Sequence, residues 1–298
     1  MEEQMNLEHV PNIDSIKKSI QKFKDCNLSK IGYGKLWQAL ENEFGIIPFL
    51  NREIEKGEID RARINSKIGE VFNSENEISY REDISNINKY GRTNAPFQSM
   101  FYGAIPTSKI GYPRITSLIE TSEIFRDIPQ NKFIDAHFMM TLGKWEIKKP
   151  LKVVDLVFNK NNIENIEDIQ FSHEDARKTI AENFPDNTVQ IELILEFFSD
   201  EFAKIDIKNN NDYKISCIYS QMALNQGVDG IAYPSVRTKA MGYNIALTPL
   251  SVDSSLQMTK ASMHKIEKEN DDTYIGNYKI ALDLGDFNSN FKWERAEK

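Results

Sequence analysis

Residues 91–104, GRTNAPFQSMFYGA, pass from a polar turn into a short β-prone run, and that change of texture governs the reading of the whole chain. Gly91 to Asn94 is turn-forming, whereas SMFYGA (99–104) has the aromatic and small residues of a strand. In a strand, Phe101 and Tyr102 point to opposite sheet faces, so one ring belongs to a core. The other offers a flat face for stacking and a hydroxyl for hydrogen bonding. Packing of both rings in a core fits the same letters.

Working outward, RARIN (61–65), the segment around Lys144–Ile147 and KVVDLVF (152–158) are further β-prone stretches separated by turn residues. VDGIAYPS (228–235) reads as strand then turn, NIALTP (244–249) as a strand, and TYIGNYKIAL (273–282) as a late one. Asn159–Ile169, rich in Asn, Glu and Ile, reads as a surface loop. Ser172, with Asp175 three residues on, reads as a near capping box opening the helix HEDARKTIAENF. A further helix covers about 213–226, with Ile218, Met222 and Ala223 on one face and Gly227 as its cap. Residues 13–50 read as helical: Ile13, Ile16, Ile20 and Phe23, then Leu36, Trp37, Leu40 and Phe44, recur at helical steps, and Gly45 is placed to end the run. The order is mixed, without regular βαβ alternation, so the expected class is α+β. The expected division is a helical extension (1–57), a compact domain (58–250) and a C-terminal extension (251–298).

A net charge of −8 over 298 residues argues against direct nucleic-acid binding, yet leaves room for a local basic pocket. Cys26 and Cys217 stand far apart, and His9, His137, His173 and His264 show no ligand spacing, so no metal is expected. The acidic, polar start MEEQMNLEHVPN carries no secretory pattern, and no run approaches a membrane span. A cytoplasmic protein is the expectation.

Four side chains carry potential chemistry. Arg92, in a turn before a strand, can grip a phosphate or carboxylate through paired N–H groups, though a surface arginine fits the same context. Glu120, in ITSLIE, suits a hydrogen bond to a sugar hydroxyl or the stabilisation of positive charge on a sugar ring; on a helix it shares a face with Glu123, and an ordinary surface role is the default for such a residue. Ser235 follows Pro234, which fixes the chain locally; lacking a nucleophile elbow, it reads as a binding hydroxyl rather than a nucleophile. Arg61 and Arg63 alternate on one strand face and can line one cleft or lie solvated. No dinucleotide-binding glycine fingerprint or phosphate loop is present.

Together these segments resemble the RES domain, named for an Arg, a Glu and a Ser. Its Gly-Arg-x-Asn stretch is matched by Gly91-Arg92-Thr93-Asn94, with the family's strand tyrosine ten residues on at Tyr102. Thr116-Ser117-Leu118-Ile119-Glu120 is similar to its Thr-Ala-x-x-Glu pattern, with Ser117 in place of Ala. Asp229 to Ser235 matches its Asp-Gly-Ile-x-Tyr-Pro-Ser segment, followed by Gly242-Tyr243-Asn244-Ile245-Ala246-Leu247. The likeness runs from about 58 to 250. The Tyr102-to-Glu120 gap is longer than the family's, which makes IPTSKIGYPR, within 105–115, an expected inserted loop near the site.

What the resemblance implies is an ADP-ribosyltransferase-like mixed β core with flanking helices. It also implies NAD as substrate, cleaved at the nicotinamide–ribose bond with phosphate or water as acceptor. On that reading Arg92 holds the pyrophosphate, Tyr102 the nicotinamide end, Glu120 the ribose, and Ser235 the ribose or amide, with Asn94, Arg61 and Arg63 as further NAD-binding residues. Arg61, Arg63 and Arg237 are candidates for a phosphate acceptor. The alternatives are a protein ADP-ribosyltransferase and a non-catalytic NAD-binding or interaction module. Many family members are toxins neutralised by a helix-turn-helix antitoxin, which makes such a protein an implied partner.

Overall fold

The computed structural model of the chain describes residues 10–65, 70–122, 136–269 and 272–296. Glu123 and the start of the chain through His9, both read above, lie outside these residues. The chain opens with α1 (Ile13–Lys24) and α2 (Tyr33–Phe44). Asn12 caps α1 by accepting from Ser15 N–H at 2.9 Å. Gly45 ends α2 at a φ of 66°, a conformation that glycine adopts without a Cβ penalty. There follow β1 (Asn51–Ile54), β2 (Glu58–Asn65), α3 (Glu75–Ile78), β3 (Phe101–Ile105), α4 (Pro113–Thr121), β4 (Ala136–Ile147) and β5 (Leu151–Asp155). Next come α5 (Lys160–Asn165), α6 (Glu167–Asn183), α7 (Thr188–Phe202) and α8 (Lys214–Leu224). The chain then runs through β6 (Gly230–Pro234), β7 (Tyr243–Leu247), α9 (Pro249–Ser255), β8 (Leu256–Glu269), β9 (Asp272–Ala281) and β10 (Trp293–Arg295).

The strands form one sheet in the order β1-β5-β6-β7-β3-β2-β4-β8-β9-β10. Its one parallel pair among the described residues is β5–β6. Helices and a largely antiparallel sheet give the α+β class expected from the mixed element order. β1 on one edge, and β8 to β10 on the other, extend the sheet beyond the span of the family likeness.

Period-two alternation sorts the central strands between two cores. Val154, Ile231 and Ala246 pack with Ile16, Leu36, Leu40, Phe198 and Ile218 of α1, α2, α7 and α8. Their neighbours Val153, Ala232 and Ile245 pack with Ile169, Ala176 and Ile180 of α6. Phe101 lies in the latter core and Tyr102 at the border of the former, so the two rings face opposite ways, as the strand reading requires.

Two local readings are corrected. Asn159–Ile169 is not a surface loop but α5 and the start of α6. Asn159 accepts from Asn162 N–H at 3.1 Å and caps α5, and Ile166 and Ile169 are buried. Ser172 is not a cap but lies inside α6, which begins at Glu167 because Ile169, Ala176 and Ile180 continue one buried face through it. Proposed strand 152–158 ends at Asp155, and Leu156 to Phe158 continue as buried connecting chain. Among the described residues no helix is long and apolar enough to cross a membrane.

Candidate active site

The site begins where the sheet comes apart. The β2–β3 ladder has a single registered pair, Asp60 opposite Ala104. Beyond that pair, the Arg61 guanidinium takes a position that strand pairing would fill: its Nη1 donates to Tyr102 O at 2.6 Å and its Nε to Ile78 O at 2.8 Å. A cavity of ≈ 630 Å³ opens at the split, within the roughly 300–1,000 Å³ of small-molecule sites. Among the described residues its walls carry Arg61, Arg63, Arg92 and Arg237 against one carboxylate, Glu120. Tyr90, Tyr102, Tyr213 and Tyr233 add aromatic surface.

Glu120 stands on the last turn of α4, whose seat is fixed at several points. Pro113 at the first turn is preorganised for a helix start. Leu118 packs with Ala62, Met140, Leu142 and Ile266. Ser117 Oγ donates to Asp60 O at 2.7 Å, tying the helix to β2. Thr116 lies against Gly242, where any Cβ would overlap the threonine side chain. These contacts explain why the motif spaces a small hydroxyl residue one turn before the acid, on the same helix face.

The carboxylate itself is held from three directions. Oε1 accepts from Ser235 Oγ at 2.6 Å and from Asn244 Nδ2 at 2.9 Å. Oε2 lies 3.5 Å from Arg237 Nε, and Arg237 Nη1 also donates to the Glu120 backbone carbonyl. The side chain remains 26% exposed, so it is fixed yet open to the cavity.

Ser235 is fully buried and outside the cavity lining, so its place is behind Glu120 rather than on a ligand. The 235–242 loop holds it there: Ser235 N–H donates to Gly242 O at 2.8 Å, and Ala240 N–H to Ser235 O at 2.8 Å. Lys239 and Ala240 adopt φ of 52° and 64° to close this turn.

The Gly-Arg-x-Asn turn is a second prefabricated unit. Gly91 N–H donates to Asn94 O at 3.0 Å. Tyr102 Oη donates to Asn94 Oδ1 at 2.6 Å and accepts from Thr93 Oγ1 at 2.7 Å. A Cβ at Gly91 would overlap Asn94 Oδ1 and press on Tyr102 Oη at 3.0 Å. Burial, only partly offset by the hydrogen bonds from Thr93, pushes the Tyr102 phenol up to about 12. The ten-residue step thus ties the turn to the strand and aims Arg92. Arg92 Nη1 and Nη2 donate to Phe202 O at 2.5 Å and Lys204 O at 2.9 Å, at and just beyond the end of α7. Its guanidinium lies 5.2 Å from the Tyr213 ring centre. A guanidinium has five N–H donors, so donors remain for a ligand.

Arg61 lies over Phe101 at 5.3 Å and Arg63 over Phe72 at 5.0 Å, both facing the cavity. Burial lowers the pKa of both, that of Arg61 to about 9, which keeps it charged at neutral pH. The structure therefore brings Arg61, Arg63, Arg92, Asn94, Tyr102 and Glu120 to one cavity and sets Ser235 behind it. None of residues 105–115 lines this cavity, and from Pro113 that stretch is helix rather than loop. Thr107 Oγ1 instead donates to Met241 O at 2.6 Å.

Asn244, Tyr90, Asn210 and Tyr213 are lining residues to which the sequence reading gave no role. Asn244 did leave a signal: a polar residue buried within the apolar strand YNIAL calls for a partner. The other three come from connecting segments whose letters hold no comparable signal. Among the described residues no cluster of His, Cys, Asp and Glu is placed to hold a metal ion. His173 packs edge-on against Phe158, and His264 is buried between strands.

No family model matches the chain. No curated protein matches it either. Among solved structures the chain is similar to one in the crystal structure of the M. tuberculosis MbcT-MbcA toxin-antitoxin complex, at 12% identity. The match covers 73% of this chain and 87% of that one, with a TM-score of 0.30. A superposition this loose assigns neither fold nor function.

Proposed function

We propose that the chain cleaves the nicotinamide–ribose bond of NAD, with phosphate or water as acceptor. The observation that carries the reading is Glu120, fixed by Ser235, Asn244 and Arg237 at the wall of a cavity whose charged and aromatic lining is otherwise arginine and tyrosine. A dinucleotide presents this chemistry in reverse: a pyrophosphate for guanidinium groups and flat rings for tyrosines. As nicotinamide leaves, positive charge grows on the ribose, and a carboxylate already oriented stabilises it without reorganisation.

In this account Glu120 acts on the ribose and Arg92, with Arg61 or Arg63, on the pyrophosphate. Tyr102 contributes its ring and holds the Arg92 turn, because its hydroxyl is taken up by Asn94 and Thr93. Ser235 is a positioning residue for Glu120. Incubating the protein with NAD, with and without phosphate, and resolving products by mass tests the reading. ADP-ribose 1″-phosphate marks phosphate attack and ADP-ribose marks water attack. Absence of any nicotinamide release would overturn it. The motif resemblance extends the proposal to a toxin-type effector with an antitoxin partner; expression of the chain should then deplete cellular NAD and arrest growth.

A further inference from the structure

A second cavity, of ≈ 370 Å³, lies at the other end of α4. Tyr112, Pro113 and Arg114 enter it from the helix start, Asp60 from β2, and Lys260 and Lys279 from β8 and β9. Lys144 also faces it, paired with Glu58. Asp60 is 2% exposed, and its Oδ1 has no hydrogen-bond partner among the described residues. Burial raises the pKa of the Asp60 carboxyl, offset in part by the nearby Lys144 charge and the Arg114 end of α4. Ser262 Oγ and His264 Nε2 pair at 2.9 Å on the adjoining wall. Burial, and after it the Arg114 and Lys260 charges, holds His264 below its usual range.

The cavity therefore joins two demands. Arg114, Lys260 and Lys279, beside the positive end of a nine-residue helix, suit an anion. The buried Asp60 Oδ1 needs a donor, because an unsatisfied buried acceptor carries a desolvation penalty. An anion without hydrogen-bond donors meets only the first demand. A bare phosphate leaves much of the space empty. We propose that this cavity binds a small phosphorylated polyol, its phosphate on Arg114, Lys260 and Lys279 and a hydroxyl donating to Asp60. The site is separate from the proposed NAD cavity and independent of turnover. The two share α4, with Arg114 at one end and Glu120 at the other.

Calorimetry with ribose 5-phosphate, ribose, inorganic phosphate and sulfate tests the assignment, using the full chain in the Arg92→Ala background to weaken the first cavity. Ribose 5-phosphate should bind at least about tenfold more tightly than phosphate or sulfate, and free ribose should not bind detectably. Lys260→Ala/Lys279→Ala should weaken ribose 5-phosphate about tenfold or more. Asp60→Asn should bring ribose 5-phosphate toward the affinity of phosphate. If Asp60→Asn fails to fold, the lysine pair, on the strand surface, still decides the matter. Undiminished binding in the lysine variant, equal binding of sulfate and ribose 5-phosphate, or no binding at all would overturn the proposal. Binding present only with Arg92 intact would assign the ligand to the first cavity and equally overturn it.

Discussion

Ser235 Oγ donates to Glu120 Oε1 at 2.6 Å, joining residues 115 positions apart while staying wholly out of solvent. The serine serves the acid rather than the ligand. Ser235→Ala should therefore lower kcat for nicotinamide release by about tenfold to a hundredfold and leave KM within about threefold, the pattern of a lost transition-state contact. Steady-state kinetics checks this. A rise in KM at constant kcat would place Ser235 on the substrate instead.

Gly242, at the end of the loop that leads into β7, meets Thr116 of α4. Gly242→Ala should destabilise the fold by about 1–3 kcal/mol, the usual cost of forcing atoms into a packed contact. Adding Thr116→Ala removes the overlapping atoms and should recover most of that loss. Denaturant titration of both single variants and the double variant reads the coupling.

The motifs were legible because each is a local device. The Gly91–Asn94 turn, the Thr116-to-Glu120 helical step and the Pro234-Ser235 corner each show in a few consecutive letters. What they do to one another was not legible, since Ser235, Asn244 and Arg237 reach Glu120 only through long-range pairing of β6, β7 and α4. The same limit hid β8: LQMTKASMHKIEKE, in the polar C-terminal extension, drew no strand reading, yet it pairs with β4 along its length. Asn159–Ile169 misled in the opposite sense, its Asn-rich composition masking the apolar face of Ile166 and Ile169.

Arg92 binds two carbonyl groups near the end of α7 while facing the cavity. Lysine cannot reproduce that fork. Arg92→Lys should raise KM for NAD by about tenfold with a smaller effect on kcat, measured by initial rates over a range of NAD.

The phenol of Tyr102 is raised to about 12, mainly by burial, against about 10 in an unfolded chain. Its neutral form is thus favoured in the fold. The stability it contributes is fully present below pH about 10 and is lost as pH rises through about 12. The stability gap between the natural chain and Tyr102→Phe should be constant from pH 7 to 9 and narrow above about 10. Chemical denaturation at several alkaline pH values measures it.

The most direct measurement is nicotinamide release from NAD by the natural chain and by Glu120→Gln, with folding of both checked by circular dichroism. The amide keeps the shape and loses the charge that stabilises the developing cation, so release should fall by about a hundredfold or more. A Glu120→Gln protein that releases nicotinamide at the undiminished rate would contradict the account.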